Sequence, residues 1–140
     1  MSNSRTAIIG LGITGRSCIR HLQNHELIVL DTRDDPDLLN DLPTHPALIA
    51  RTGVTAFNFS GVDQVIVSPG VPLSVPLLDH ARQLGLPIRS DIELFMTSVT
   101  APVFGITGTN GKSTVTAMTG ALLEHAGFQV SVGGNLGEPA

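Results

Sequence analysis

The sequence predicts an α/β fold with a parallel sheet. Short apolar runs that end in Gly, Asp or Ser alternate with segments of helical period, which is the pattern of successive βαβ units. In addition, two Gly-rich stretches each follow an apolar run and precede a helical segment. Both observations favour a parallel sheet built from βαβ units, with loops that are suited to binding anions.

The first part of the chain contains enough elements for one sheet of about five strands. Residues 6–9 are predicted to form a buried strand, and residues 14–24 a helix in which Cys18, Ile19 and Leu22 share one face. Stop signals such as Ser68-Pro69-Gly70 end the later apolar runs. Further strands are predicted at 27–30, 48–51, 64–67 and 87–90, and further helices at 36–42 and 75–84.

A second domain is predicted to begin after the polar joint TSVTAP, which places the boundary near residue 98. Residues 1–98 form one predicted domain and residues 99–140 the beginning of another. The second part is predicted to run as a strand at 103–106, a helix at 112–126 and a strand at 129–132. Because about 40 residues rarely supply a core of their own, we expect this domain to be truncated.

The composition indicates a globular protein and excludes several classes of partner. Of the 140 residues, 41% are hydrophobic and 14% are charged, and the net charge is −4. Such a balance provides no basic surface for nucleic acid, so no nucleic-acid partner is expected. No apolar run approaches the length of a membrane span, and no leader sequence is recognised. With Cys18 as the single cysteine, we expect a cytoplasmic protein without an intrachain disulfide.

The first Gly-rich stretch, Gly10-Leu11-Gly12-Ile13-Thr14-Gly15, has the spacing of a Rossmann-like phosphate-binding turn. A diphosphate is expected at the start of the following helix, where amides and the helix dipole favour negative charge. Asp31 ends the next strand and is expected to accept hydrogen bonds from a sugar or base. Within the acidic run 31–37, Asp31 is taken as the ligand-facing member and the others as solvated. The motif alone does not separate a dinucleotide from a UDP-sugar, and a purely structural turn is the alternative.

The second Gly-rich stretch, residues 108–114 (GTNGKST), follows a predicted strand and opens a predicted helix. It matches the GxxGK[ST] core of an ATP-binding P-loop, although Ile106 stands where the full pattern has Gly. The backbone amides of 108–112 are expected to surround phosphates, with Lys112 on the β and γ oxygens and the hydroxyl of Ser113 or Thr114 on Mg²⁺. A plain Gly-rich helix start is the alternative.

Taken together, the spaced motifs resemble those of the Mur ligase family, the amide ligases of bacterial peptidoglycan synthesis. The resemblance runs through GLGITG, LDTR, VSPGV, SDIELF, GITGTNGKSTVT and VGGNLG, and so covers nearly the whole chain. In this family the P-loop reads TGTNGK, which accounts for Ile106. The resemblance therefore implies a Rossmann-like UDP-sugar-binding domain followed by the start of a P-loop ATPase-like domain.

The resemblance also assigns site residues. It implies that Gly12, Ile13 and Thr14 hold a UDP diphosphate and that Asn135 reaches the muramoyl group. ATP is expected on the second loop with catalytic Lys112, and Mg²⁺ on Ser113. The implied uridine-side residues are Asp31, Thr32, Arg33, Ser68, Pro69 and Gly70, and the implied ATP-binding residues are Gly108, Thr109, Asn110, Gly111, Lys112, Ser113 and Thr114.

The implied reaction joins D-glutamate to UDP-N-acetylmuramoyl-L-alanine through an acyl phosphate, with ATP and Mg²⁺ as cofactors. The resemblance implies that the D-glutamate site and further Mg²⁺ ligands lie outside this chain. We therefore expect the chain alone to bind ligand without ligase activity, and the full-length protein to be monomeric.

Three alternatives remain open at this stage. Another Mur ligase with a different amino acid is the nearest, although the SDIELF and LDTR wording favours D-glutamate. An NAD(P)-dependent oxidoreductase would use GLGITG but leaves the second loop without a role. A binding module without chemistry is the third.

Overall fold

The computed structural model describes residues 4–134. Backbone contacts divide the chain into two compact units, Met1–Thr97 and Ser98–Ala140.

The first unit is built on a five-stranded parallel sheet, which confirms the predicted fold class. The strand order is β3-β2-β1-β4-β5, so β1 is central. The observed bounds agree with the predicted strands to within one residue. The strands are β1 (Arg5–Ile9), β2 (Glu26–Leu30), β3 (Leu48–Arg51), β4 (Gln64–Val67) and β5 (Ile88–Ser90).

Helices cover both faces of this sheet. They are α1 (Ile13–His21), a 3-10 helix (Pro36–Leu39), α2 (Pro76–Gln83) and α3 (Asp91–Ser98). The second unit, by itself, contains α4 (Lys112–His125). None of the helices between residues 4 and 134 is long and apolar enough to cross a membrane.

Side chains that alternate along the strands feed two separate cores. Ala7 and Ile9 of β1 pack with α2 on one face, while Ile8 packs with α1 and with Leu94 of α3 on the other. The chain winds from β1 toward β3 in one direction and from β4 to β5 in the other. Because parallel connections are right-handed, this reversal puts α1 and α2 on opposite faces.

Helix α1 ends earlier than the predicted residue 24. The side-chain amide of Gln23 donates to the carbonyl of Ile19 at 3.0 Å, which is the acceptor that the amide of residue 23 would use in a longer helix. The predicted apolar face is confirmed, since Cys18, Ile19 and Leu22 are all buried. Burial also raises the pKa of the Cys18 thiol to about 11, with a further rise from Asp91.

The strands predicted at 103–106 and 129–132 are wrong: both segments lack strand structure. A strand needs a hydrogen-bonded neighbour, and the described residues of the second unit provide no ladder for either segment. Instead Val132 lies against α4, where a methyl group added to Gly120 would be 2.8 Å from its side chain. The predicted helix at 112–126 is confirmed to within one residue.

Shortening a core leucine should cost far more than shortening an exposed one near the same helix. Leu78 of α2 is fully buried, whereas Leu84, just beyond α2, is 51% exposed. We expect Leu78→Ala to lower the free energy of unfolding by about 2–5 kcal/mol because it removes buried methyl groups and leaves a cavity. Leu84→Ala should change it by about 0.5 kcal/mol or less. Urea unfolding checks both values, and equal effects would contradict the assigned core.

Candidate functional site

The first Gly-rich loop lies where the direction of winding reverses, at the carboxyl ends of β1 and β4. In open parallel sheets ligands bind in the crevice at this position. The amide of Gly10 donates to the carbonyl of Leu30 at 2.8 Å, and the amide of Ser68 donates to the carbonyl of Ile9 at 2.9 Å. The loop is thus joined to the strands on both sides of β1.

The Asp31 carboxylate is the main side-chain anchor of this loop. It is 3% exposed and accepts the backbone amide of Leu11 at 2.7 Å on Oδ2. Arg33 donates its amide and its Nε to Oδ1, both at 2.9 Å, and its Nη2 to Oδ2 at 2.8 Å. All four donors come from the protein itself. The carboxylate expected to face a ligand is therefore fully engaged in holding Leu11 and Arg33.

These contacts change the acidity of Asp31. Burial alone raises the pKa of a carboxyl, but the hydrogen bonds from the Arg33 side chain and from the amides of Leu11 and Arg33 outweigh it. The pKa of Asp31 falls from 3.8 to about 2. Asp31 therefore stays ionised across the physiological pH range.

Ser68 braces the same loop from the other side. Its side chain is buried, and its hydroxyl donates to the carbonyl of Gly10 at 3.2 Å. The amide of Val71 donates to the carbonyl of Ser68 at 3.0 Å and closes a turn. Pro69 and Gly70 are exposed at the tip of this turn.

The groups left available at the crevice are mostly backbone and exposed side chains. In α1 the first helical hydrogen bond runs from the amide of Arg16 to the carbonyl of Gly12 at 3.1 Å, so the amides of Ile13 and Thr14 precede the helical ladder. No side chain caps this end of the helix. Arg33 has a 58% exposed side chain and Thr32 is partly exposed. This end of α1 therefore presents amides that precede the helical ladder, and Arg33 adds an exposed positive charge on the segment that follows β2.

The second Gly-rich loop leads into α4 with a similar opening. Gly111 caps the helix with φ of 74°, a left-handed conformation that favours glycine, and no side chain caps the end. The first helical bond runs from Val115 to Gly111 at 2.9 Å, which leaves the amides of 112–114 ahead of the ladder. The Lys112 ammonium donates to the carbonyl of Gly108 at 2.6 Å. The loop therefore folds around its own lysine.

The other predicted site residues are exposed or lie outside the described part of the chain. Thr109, Asn110, Ser113 and Thr114 are exposed in and after this loop. Asn135 lies outside the described residues. Within residues 4–134, no group of three or more His, Cys, Asp or Glu side chains is arranged to hold a metal ion.

Sequence reasoning missed three residues that shape the first site. The amide of Leu11 holds Asp31, and the amide of Gly53 donates to the carbonyl of Arg33 at 2.7 Å. Arg16 contacts the connection between β2 and β3. In each of these contacts one partner is a backbone group and the two residues are far apart in sequence, so side-chain patterns give no sign of them.

Replacing Asp31 should make the free energy of unfolding less dependent on pH in the acidic range. Because the pKa of Asp31 is lower in the folded chain, its ionised form stabilises the fold above pH 3.8, and this contribution is lost as the pH falls toward 2. We expect Asp31→Asn to lower the free energy of unfolding by about 1–3 kcal/mol at neutral pH. The gap to the wild type should narrow below about pH 4. Urea unfolding across this range measures it, and a gap that stays constant would refute the assignment.

Gly15 should tolerate no side chain, in contrast to Gly12. A methyl group on Gly15 would lie 2.0 Å from the carbonyl oxygen of Gly10, whereas one on Gly12 meets nothing within 4 Å. Alanine gains about 1 kcal/mol of helix propensity, but the backbone clash costs more. We expect Gly15→Ala to destabilise the fold by about 1–3 kcal/mol and Gly12→Ala to unfold like the wild type. Thermal unfolding compares them, and a stabilised Gly15→Ala would contradict the close approach.

Comparison with known proteins agrees with this geometry. Residues 4–90 match the family model described as Mur ligase MurD-like, N-terminal domain. The UDP-N-acetylmuramoylalanine–D-glutamate ligase of Marinobacter nauticus is 41% identical over 146 residues, which covers 100% of this chain and 32% of that protein. The ligase of the same name from Nitrosococcus oceani is 45% identical over 139 residues, which covers 96% of this chain and 31% of that protein.

The chain thus spans about a third of the length of these relatives. The match to the family model covers more than half of the chain, and it includes all five strands and the first Gly-rich loop. The chain belongs to the Mur ligase family, and its first unit is a MurD-like N-terminal domain.

Proposed function

We propose that the first unit binds UDP-N-acetylmuramoyl-L-alanine and that the chain is the N-terminal part of an ATP-dependent ligase that adds D-glutamate to it. The observation that carries the proposal is the Gly-rich loop at the switch point, fixed by Asp31 and Ser68 while the first amides of α1 stay open. The names of the relatives supply the substrate class.

In this proposal the diphosphate lies against Gly12, Ile13 and Thr14, where open amides and the helix dipole stabilise its charge. Thr32 and the exposed guanidinium of Arg33 face the uridine. The turn at Pro69 and Gly70 borders the uracil. Asp31 and Ser68 support this site mainly by positioning the loop and Arg33, because their polar atoms already hold protein groups.

The second loop suits ATP by the chemistry of its donors. Amides at the start of α4, the Lys112 ammonium and the hydroxyls of Ser113 and Thr114 form a set that phosphates and Mg²⁺ prefer. To reach a phosphate, Lys112 has to leave the carbonyl of Gly108. Bound Mg²⁺ would be held in part by Ser113 and would offset phosphate charge.

The proposed reaction activates a carboxylate that is otherwise unreactive toward amines. The L-alanine carboxylate accepts the γ-phosphoryl group and becomes an acyl phosphate, and the D-glutamate amine then displaces phosphate to form the amide, with ADP as the other product. Lys112 and the loop amides contribute positioning and charge neutralisation. We propose that this chain alone binds without turnover, and that the full-length enzyme is a cytoplasmic monomer.

An NAD(P)-dependent oxidoreductase is the rival from another class, since its cofactor would use the same Gly-rich loop. An oxidoreductase of this kind would have no role for the second loop, which has open amides and a lysine. A Mur ligase that adds a different amino acid is the rival within the family, because the two loops of this chain do not specify the incoming amine.

Titration calorimetry separates these functions. We expect the chain to bind UDP-N-acetylmuramoyl-L-alanine saturably and to give no heat with NADH or NADPH at the same concentrations. Gly12→Ala, which has open space around the new methyl group, should stay folded and bind the UDP-sugar at least about tenfold more weakly, a loss of about 1.4 kcal/mol, because the methyl group occupies the approach of the diphosphate. Binding of a nicotinamide cofactor alone would refute the proposal.

A further inference from the structure

Arg16 lies next to the proposed diphosphate site, and its guanidinium forms hydrogen bonds to one distant segment. Its Nη1 donates to the carbonyls of Asn40 and Asp41, both at 2.9 Å, and its Nη2 donates to the carbonyl of Leu38 at 2.8 Å. Among residues 4–134 its guanidinium takes part in no ion pair. The side chain is therefore committed to three backbone oxygens.

The segment that Arg16 holds is the middle of the connection between β2 and β3. This connection begins with Asp31, Thr32 and Arg33 and continues through the 3-10 helix at Pro36–Leu39. Asp41, just beyond it, has φ of 53° and is the only residue other than glycine with positive φ in the described part of the chain. Such a conformation is unfavourable unless its surroundings fix it. The hydrogen bond from the Arg16 guanidinium to the Asp41 carbonyl helps to hold this conformation.

Arg16 also places a positive charge beside the acidic connection between β2 and β3. The connection carries four carboxylates besides Asp31, which would oppose an anionic ligand nearby. They are Asp34, Asp35, Asp37 and Asp41. Arg16 directly follows Gly15 at the end of the Gly-rich loop and sets a positive charge against this acidic segment. It thus joins the loop proposed for the diphosphate to the connection proposed for the uridine.

We propose that Arg16 is a positioning residue for nucleotide-sugar binding, which holds the acidic β2–β3 connection in place beside the diphosphate loop. The inference rests on the proposed function. Lysine in place of Arg16 keeps the charge but lacks the planar fork that serves three carbonyls, so it should restore only part of the effect.

The test compares Arg16→Met and Arg16→Lys with Arg20→Met, a matched change at an exposed arginine one turn further along α1. Calorimetry with UDP and with UDP-N-acetylmuramoyl-L-alanine is run well below the melting temperature of every variant. We expect Arg16→Met to raise both Kd values about tenfold, as expected for losing charge-assisted hydrogen bonds that hold the site. Arg16→Lys should raise them about threefold, and Arg20→Met should leave them unchanged.

Hydrogen exchange supplies an independent readout. In Arg16→Met, the amides of Leu38 and Asn40, which bond to Asp35 and Asp37, should exchange faster, and in Arg20→Met they should not. Faster exchange with unchanged Kd values would overturn the positioning role and leave a structural contact only. Unchanged exchange of these amides in Arg16→Met would show that the Arg16 contacts do not hold the connection, and would overturn the proposal. If the wild type binds neither UDP compound, the proposed function fails, and the binding role of Arg16 fails with it.

Discussion

The Asp31 carboxylate is the contact on which the first site depends. It stands at the end of β2, accepts the Leu11 amide of the Gly-rich loop, and fixes the backbone and guanidinium of Arg33. The Gly-rich loop and the segment that follows β2, which are 20 residues apart in sequence, therefore meet on two oxygen atoms. Because every lone pair that faces the protein has a donor, burial of this charge is compensated, as a buried ion requires.

This arrangement is compatible with the proposed anion site in a protein of net charge −4. Asp31 is neutralised by Arg33, and Arg16 is directed at the acidic connection that follows. The amides at the uncapped start of α1 add positive partial charge at the Gly-rich loop. Net charge describes the whole surface, whereas binding depends on the few groups around the crevice.

Sequence patterns predicted the sheet well because each strand carries its own signal. The runs at 64–67 and 48–51 are bounded by polar residues or turns, and both strands have the predicted bounds. Contacts between distant residues account for what was missed. The Gln23 side chain bonds to the carbonyl that a longer α1 would use, and the apolar runs at 103–106 and 129–132 form no strand without a pairing neighbour. The Arg16 contacts, which link residues 22 to 25 positions apart, are invisible in a linear pattern.

The two Gly-rich loops differ in what holds them. Two side chains that directly follow β2 and β4 brace the first loop, so its backbone is already held in place and the proposed ligand would pay little ordering cost on binding. The second loop is held by its own lysine, whose ammonium bonds to the carbonyls of Gly108 and Thr109 at 2.6 and 3.5 Å. In the proposed ATP complex, a phosphate would replace those carbonyls as the partner of Lys112. The proposed binding at the second loop therefore requires Lys112 to rearrange, whereas the proposed binding at the first loop requires no such change, although both loops begin a helix with open amides.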